Sequence, residues 1–263
     1  MYEFEYLRAT SLDDAAGRLA DDEAKLVAGG MTLIPTLKLR LAKPTQLIDL
    51  AAIPALKGIS EQGDAVVIGA MTRHADVTRS DVVKRAIPAL AAMAGLIGDP
   101  AVRNRGTIGG SIANNDPAAD YPAAVVALNA SVRTNKREIA ADQFFTGLFE
   151  TALEPGEIVT AVRFPKVAQA NYQKFRNPAS RYAIVGVFVA KTPAGVRVAV
   201  TGAGPCVFRV PEMEQALARS FTPDAIKDIQ IPQDGLNSDI HASAEYRAHL
   251  VNVMARRAVQ ACA

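Results

Sequence analysis

The chain has 263 residues, of which 49% are hydrophobic and 21% charged, and its formal net charge is +2. That balance describes a folded protein with a real core and excludes a disordered chain, which needs fewer aliphatics and more net charge. Lys and Arg are spread evenly, so neither a nucleic-acid groove nor a polybasic membrane anchor is expected. No apolar run is long enough for a membrane span, and the acidic start lacks the pattern of a signal peptide, so a cytoplasmic location is expected.

Two cysteines, Cys206 and Cys262, lie far apart. They cannot ligate an iron–sulfur cluster alone, since such clusters take four thiolates. His74, His241 and His249 show no zinc-ligand spacing with them, so no metal site is expected and both cysteines read as free, buried thiols. Redox chemistry in this chain therefore requires a bound organic cofactor.

In chain order, Ser11 with Asp14 forms a capping-box pattern that predicts a short helix to about Ala20. A strand over 25–27 runs into Ala28-Gly29-Gly30, and apolar spacing predicts a helix over 31–41 with Pro35 in its first turn. A strand over 45–50 completes a β-α-β unit, followed by a strand over 65–68 and a helix over 81–93. Residues 98–122 are rich in Gly, Asn, Asp and Pro with little periodicity, and long irregular segments inside domains are usually functional. A short helix over 123–129 and a strand over 158–164 precede a break at 165–170. Beyond it come strands over 182–191 and 195–201 and helices over 211–219 and 244–261, which places a domain boundary near residue 168.

Two glycine pairs carry the chemistry. At Ala28-Gly29-Gly30-Met31-Thr32-Leu33 a strand meets two glycines and then a helix start, whose unpaired N–H groups and dipole suit a pyrophosphate. On spacing alone, a plain strand-to-helix turn is the competing reading. At Thr107-Ile108-Gly109-Gly110-Ser111-Ile112-Ala113-Asn114 the glycines are expected to expose backbone N–H groups again, with Ser111, Asn114 and Asn115 adding short polar side chains. Asp116 and Asp120 can accept bonds from ribose hydroxyls or ring N–H groups; an Asx-rich surface loop capping neighbouring helices is the alternative. The G-x-G-x-x-G, P-loop, G-x-S-x-G and H-E-x-x-H patterns are absent. From the residues alone, the prediction is a site for a phosphate-bearing cofactor.

At these loops the chain resembles the FAD-binding medium subunits of the molybdenum hydroxylase family, which includes xanthine dehydrogenases and aerobic carbon monoxide dehydrogenases. The matching blocks are AGGMTLIPTLKLRL, NRGTIGGSIANNDPAADYPAAVVALNA, YQKFRNPASRYAIVG and DIHASAEYRAHLVNVMARRA, in the family's order. The resemblance implies an α+β fold: a two-lobed FAD-binding domain of the vanillyl-alcohol-oxidase (PCMH) type over 1–168, with lobes at about 1–57 and 58–168. A small α+β domain like the C-terminal domain of carbon monoxide dehydrogenase flavoproteins would occupy 169–263.

By the same resemblance, Ala28, Gly29, Gly30, Met31, Thr32 and Leu33 wrap the FAD pyrophosphate, and Thr107, Gly109, Gly110, Ser111 and Asn114 complete the cradle. Asp116 and Asp120 belong to the family's acidic block near the cofactor. Lys174 is nominated as a contact of the flavin ring, and Ile158 or Val162 as packing against it. Tyr182 is a nominee for stacking, against the alternative of a buried strand aromatic. His74 sits near a loop that relatives use at the cofactor, yet reads as a surface histidine. Where many relatives carry histidine or alanine within the second block, this chain has Asn114-Asn115.

The resemblance further implies an electron-transfer subunit of a heterotrimeric enzyme, for example a carbon monoxide dehydrogenase medium subunit, assembled as a dimer of heterotrimers. Substrate would be oxidised at a molybdopterin cofactor on a large partner, and electrons would cross [2Fe-2S] clusters of a small one. FAD on this chain would deliver them to NAD, a quinone or another acceptor, and no residue here is expected to be catalytic in its own right. The rivals are a stand-alone FAD-dependent oxidoreductase of the same fold and a non-enzymatic assembly subunit with a decayed flavin site.

Overall fold

The structure is a computed structural model that describes residues 1–19 and 23–262. The first lobe is a three-stranded parallel sheet in which Gln46–Asp49 lies between Glu5–Arg8 and Ala24–Val27. Ser11 caps the helix Leu12–Arg18 by accepting from the Asp14 N–H at 3.1 Å, as the capping pattern predicts; the expected end at Ala20 lies outside the described residues. The second glycine-flanked crossover carries the helix Leu33–Lys38, much shorter than the 31–41 expected. Arg40 turns into the left-handed region at φ 58°, which stops the helix and leaves Leu41 exposed.

The second lobe is an antiparallel five-stranded sheet ordered Ile59–Gln62, Ala65–Gly69, Val159–Pro165, Ser131–Thr134, Glu138–Ala140. Helices cover one face. The helix expected over 81–93 is two, Asp81–Ala86 and Pro88–Gly95, because Pro88 supplies no N–H and Ile87 adopts φ −149°, ψ 71°. The segment expected to be irregular also contains helices, Pro100–Arg103 and Ile108–Asn114. Tyr121–Ala127 is buried at every position, because it packs on the third sheet within a core that also holds the second lobe's Val66, Ile68 and Val162.

The third sheet is antiparallel, ordered Ala170–Arg176, Ala183–Thr192, Gly195–Thr201, Phe208–Arg209. Its alternation explains its sequence. Phe188 and Ala190 join the core shared with the second lobe, while Val185, Val187 and Val189 meet the helices Pro211–Arg219 and Ala244–Ala261. The strand Ala170–Arg176 was not expected: Asn171 and Gln173 lie on one face and Lys174 is buried on the other, so polar residues break the apolar period. The hairpin Phe145–Gly147 with Glu150–Thr151 also escaped the reading.

A polar clasp around the buried Arg197 joins the second lobe to the third sheet. Arg197 donates to Asn129 Oδ1 at 2.9 Å and pairs with Asp142, which also receives Arg209 at 3.2 Å. No helix among the described residues is long and apolar enough to cross a membrane, and no group of metal-ligating side chains occurs among them.

Candidate functional site

A cleft of about 700 Å³ opens where the two lobes and the third sheet meet. Its walls come from the first glycine loop, the second, and the end of the strand Ala170–Arg176 with its following turn. Of the residues nominated from sequence, Ala28 to Leu33, Thr107, Gly109, Gly110, Ser111, Asn114, Asp116, Asp120, Ile158, Lys174 and Tyr182 all line it. Val162 does not. It is fully buried in the core under the helices, on the same strand face as Phe164, and a register shift between Val159 and Ala161 separates it from the cleft-lining Ile158.

The first loop leaves the strand Ala24–Val27 and turns at Gly30, where φ is +72°. The backbone N–H groups of Gly29, Gly30, Met31 and Thr32 find no acceptor among the described residues. The Thr32 side chain makes no cap bond either. Unpaired donors in a row along a cleft wall are suited to an anion that spans several of them.

The second loop behaves differently from the expectation. Ile108 N–H donates to Thr72 O at 3.1 Å and Gly109 N–H to Ala70 O at 2.9 Å. Thr107 caps the helix by accepting from Gly110 N–H at 3.1 Å with its hydroxyl, and its carbonyl takes Ser111 N–H. These N–H groups are thus not exposed. The glycines serve close approach instead: a Cβ on Gly109 would lie 2.5 Å from the Ala70 Cβ. What this loop offers the cleft is the side chains of Ser111 and Asn114.

Asn115 follows in the left-handed region at φ 43°. Its buried amide donates to Gly147 O at 2.9 Å and Glu150 O at 2.7 Å, which ties the hairpin to the loop. Asp116 closes an Asx turn on Ala118 N–H at 2.9 Å. Helix capping by side chain, the alternative for Asp120, does not occur. Asp120 is buried and paired with Lys174 Nζ at 2.8 Å, and it accepts the Tyr172 hydroxyl. Burial pushes its carboxyl above the usual range, against the pull of Lys174 and Tyr172.

Tyr182 is 47% exposed, which overturns the buried-aromatic alternative. His74 is no surface histidine: it is 4% exposed and lines the cleft behind Gly106. Burial, with a contribution from Arg103, lowers its pKa to about 4, so the ring is neutral. The two cysteines are unpaired and partly exposed, not buried.

This architecture has clear relatives. A model of the FAD-binding domain in molybdopterin dehydrogenase matches residues 2–167, and one of the CO dehydrogenase flavoprotein C-terminal domain matches 170–262. The chain belongs to the flavoprotein medium subunits of the molybdenum hydroxylase family. It is 38% identical to the carbon monoxide dehydrogenase medium chain of Hydrogenophaga pseudoflava, over 98% of this chain and 96% of that one. It is 37% identical to the nicotine 6-hydroxylase medium subunit of Paenarthrobacter nicotinovorans, over 97% and 95% of the two chains. Among solved structures, quinoline 2-oxidoreductase from Pseudomonas putida 86 superposes with a TM-score of 0.90 at 28% identity, covering 99% of this chain and 97% of that one.

For a molybdenum hydroxylase flavoprotein, the cleft contains residues that sequence reasoning passed over. Ile97 and Arg181 line it, as does Phe149, which is 56% exposed at the hairpin tip with φ 56°. Arg181 too is left-handed, at φ 63°. Neither residue type signals such a conformation, so nothing in the sequence marked them.

Proposed function

We propose that the cleft binds one FAD and that this chain carries electrons from the [2Fe-2S] clusters of a small partner subunit to an external acceptor such as NAD or a quinone. The single observation that carries this reading is the row of unpaired N–H groups at Gly29, Gly30, Met31 and Thr32. They fit a diphosphate, and the same cleft of about 700 Å³ also takes in Asp120, Lys174 and Tyr182, a volume in the range of cofactor sites.

In this reading the first loop binds the diphosphate through backbone donors, and Thr32, Ser111 and Asn114 add side-chain partners. Thr107, Gly109 and Gly110 shape the opposite wall and allow the lobes to meet closely. Asp116 and Asp120 face the cofactor's polar edges, Lys174 offers its ammonium to the ring, and Ile158 and Tyr182 supply apolar and aromatic surface. The chemistry supplied by bound FAD is acceptance of electrons singly and their release in pairs; the protein binds, orients and tunes.

Substrate oxidation belongs to a large molybdenum-cofactor subunit, and the assembly is a dimer of heterotrimers. The relatives' names mention carbon monoxide, nicotine, glyceraldehyde and caffeine, and that range among similar medium chains supports substrate choice outside this chain. The cofactor domain extends over 1–168, with lobes at about 1–57 and 58–168, and the C-terminal domain over 169–263; the separate family matches on either side of residue 168 support that boundary.

The test is the absorbance spectrum of the purified chain after incubation with excess FAD and desalting. Retained flavin bands, lost when Gly29 and Gly30 are both replaced by valine, support the reading. A chain that takes up no FAD, even with the partner subunits co-expressed, overturns it.

A further inference from the structure

Behind the cleft wall, Tyr172 does not line the cleft yet bears on two side chains that do, Asp120 and Lys174. Lys174 sits directly opposite Gly186 in the antiparallel register of the strands Ala170–Arg176 and Ala183–Thr192, and Tyr172 is two residues away on the same face. The Tyr172 hydroxyl donates to Asp120 Oδ1, and Asp120 Oδ2 receives Lys174 Nζ at 2.8 Å. All three are nine-tenths or more buried: Tyr172 is 6% exposed, and the side chains of Lys174 and Asp120 are 4% and 5% exposed.

Gly186 is what admits the tyrosine. A Cβ there would lie 2.1 Å from the Tyr172 hydroxyl oxygen and 2.8 Å from its Cζ. No side chain other than hydrogen leaves the hydroxyl where it is. The segment carrying Asp120 is gripped from the same sheet. The Thr201 hydroxyl lies 2.9 Å from Pro117 O and 2.6 Å from Ala119 O, and Gly202 N–H donates to Pro117 O at 2.7 Å.

An ammonium has three donors. Lys174 spends one on Asp120 and a long one, 3.4 Å, on Leu96 O, and its side chain lines the cleft. The direction of the remaining N–H depends on where the Asp120 carboxylate holds the nitrogen. That in turn depends on the oxygen anchored by Tyr172. Burial and the adjacent carboxylate hold the Tyr172 hydroxyl protonated, so it remains a donor throughout the ordinary pH range.

We propose that Tyr172, seated in the slot left by Gly186, is a positioning residue that orients Asp120 and, through it, turns one N–H of Lys174 toward the flavin ring. This inference rests on the proposed binding of FAD in the cleft. The reduced ring carries more negative charge than the oxidised one, so an N–H aimed at it favours reduction. Loss of the tyrosine hydroxyl leaves the buried carboxylate with Lys174 as its chief partner, which draws the ammonium away from the ring.

The experiment compares the full chain and its Tyr172→Phe and Gly186→Ala variants, each loaded with FAD. FAD affinity is read by fluorescence titration and the flavin midpoint potential by dye-linked reduction. Both variants are expected to bind FAD within about threefold of the parent. Their two-electron reduction equilibrium is expected to become about tenfold less favourable, a fall of about 30 mV. Hydrogen bonds to charged groups are of the size that such a change needs. Should Gly186→Ala fail to fold, Tyr172→Phe, which removes one oxygen, decides alone. A Tyr172→Phe chain that binds FAD with an unchanged or raised potential overturns the inference while FAD binding stands. A parent chain that binds no FAD overturns both.

Discussion

Gly29 lies against Arg105 so closely that a Cβ on the glycine would sit 2.2 Å from the arginine's carbonyl oxygen. This contact brings the first loop onto the stretch leading into the second, and it sets the separation of the two walls. Gly29→Ala is expected to force them apart, weakening FAD binding at least tenfold and costing about 1–3 kcal/mol of stability, the usual range for overpacking. Fluorescence titration and thermal melting read the two effects. Gly17→Ala, at a helical position with open space around it, is the control and should raise stability by about 0.5–1 kcal/mol.

Asn115 spans from the second loop to the hairpin whose tip is Leu148 and Phe149. Asn115→Ala leaves two carbonyls without this donor and places alanine in a left-handed conformation. A loss of about 2–4 kcal/mol is expected from these contributions together. Limited proteolysis should show faster cutting between residues 145 and 151, whereas a cut rate unchanged from the parent would mean that the hairpin is held by other contacts.

Acid should unfold the protein in two separable windows. His74 has its pKa lowered from 6.5 to about 4, so between these values the unfolded chain binds more protons and stability falls as pH falls. The full shift corresponds to about 3 kcal/mol, present above pH 6.5 and lost by pH 4. Glu157, held to about 2 by the Arg137 guanidinium, contributes stability that is fully present above its ordinary value of 4.5 and is lost as pH falls toward 2. Denaturant midpoints of His74→Leu measured across pH should lose the upper window and keep the lower one.

Asp142 holds both Arg197 and Arg209 at the junction of the second lobe with the third sheet. Its own side chain is 43% exposed, so solvent screens part of the pairing. Asp142→Ala leaves Arg197, buried at 9% exposure, with Asn129 as its remaining partner. A loss of about 1–2 kcal/mol is expected, less than for a fully buried pair. Arg209→Ala should cost more, because it also strips both guanidinium bonds from the buried Glu214 carboxylate; urea denaturation of both variants checks the order.

The glycine loops were legible because close backbone approach leaves a mark that no other residue type can replace. Gly29 against Arg105 and Gly109 against Ala70 are such contacts. Which loop keeps free N–H groups was not legible, since the acceptors Ala70 and Thr72 come from a distant segment. The helix pattern over 81–93 was wrong in continuity, because apolar spacing carries no information about the proline at its middle. The strand bearing Lys174 was hidden because polar residues stand on both of its faces, Asn171 and Gln173 on one and the cleft-lining Lys174 on the other. His74 was misjudged for a similar reason: its burial arises from Gly106 and Tyr121, neither adjacent in sequence.

Because Lys174 and Tyr182 reach the cleft from the far side of residue 168, the binding site does not exist on either half of the chain alone. A ligand filling it touches three separately built sheets and stabilises only the arrangement in which all three have docked. A molecule whose last 90 or so residues have not yet packed lacks the wall that Lys174 and Tyr182 supply, so a ligand that needs every wall binds only after they have docked.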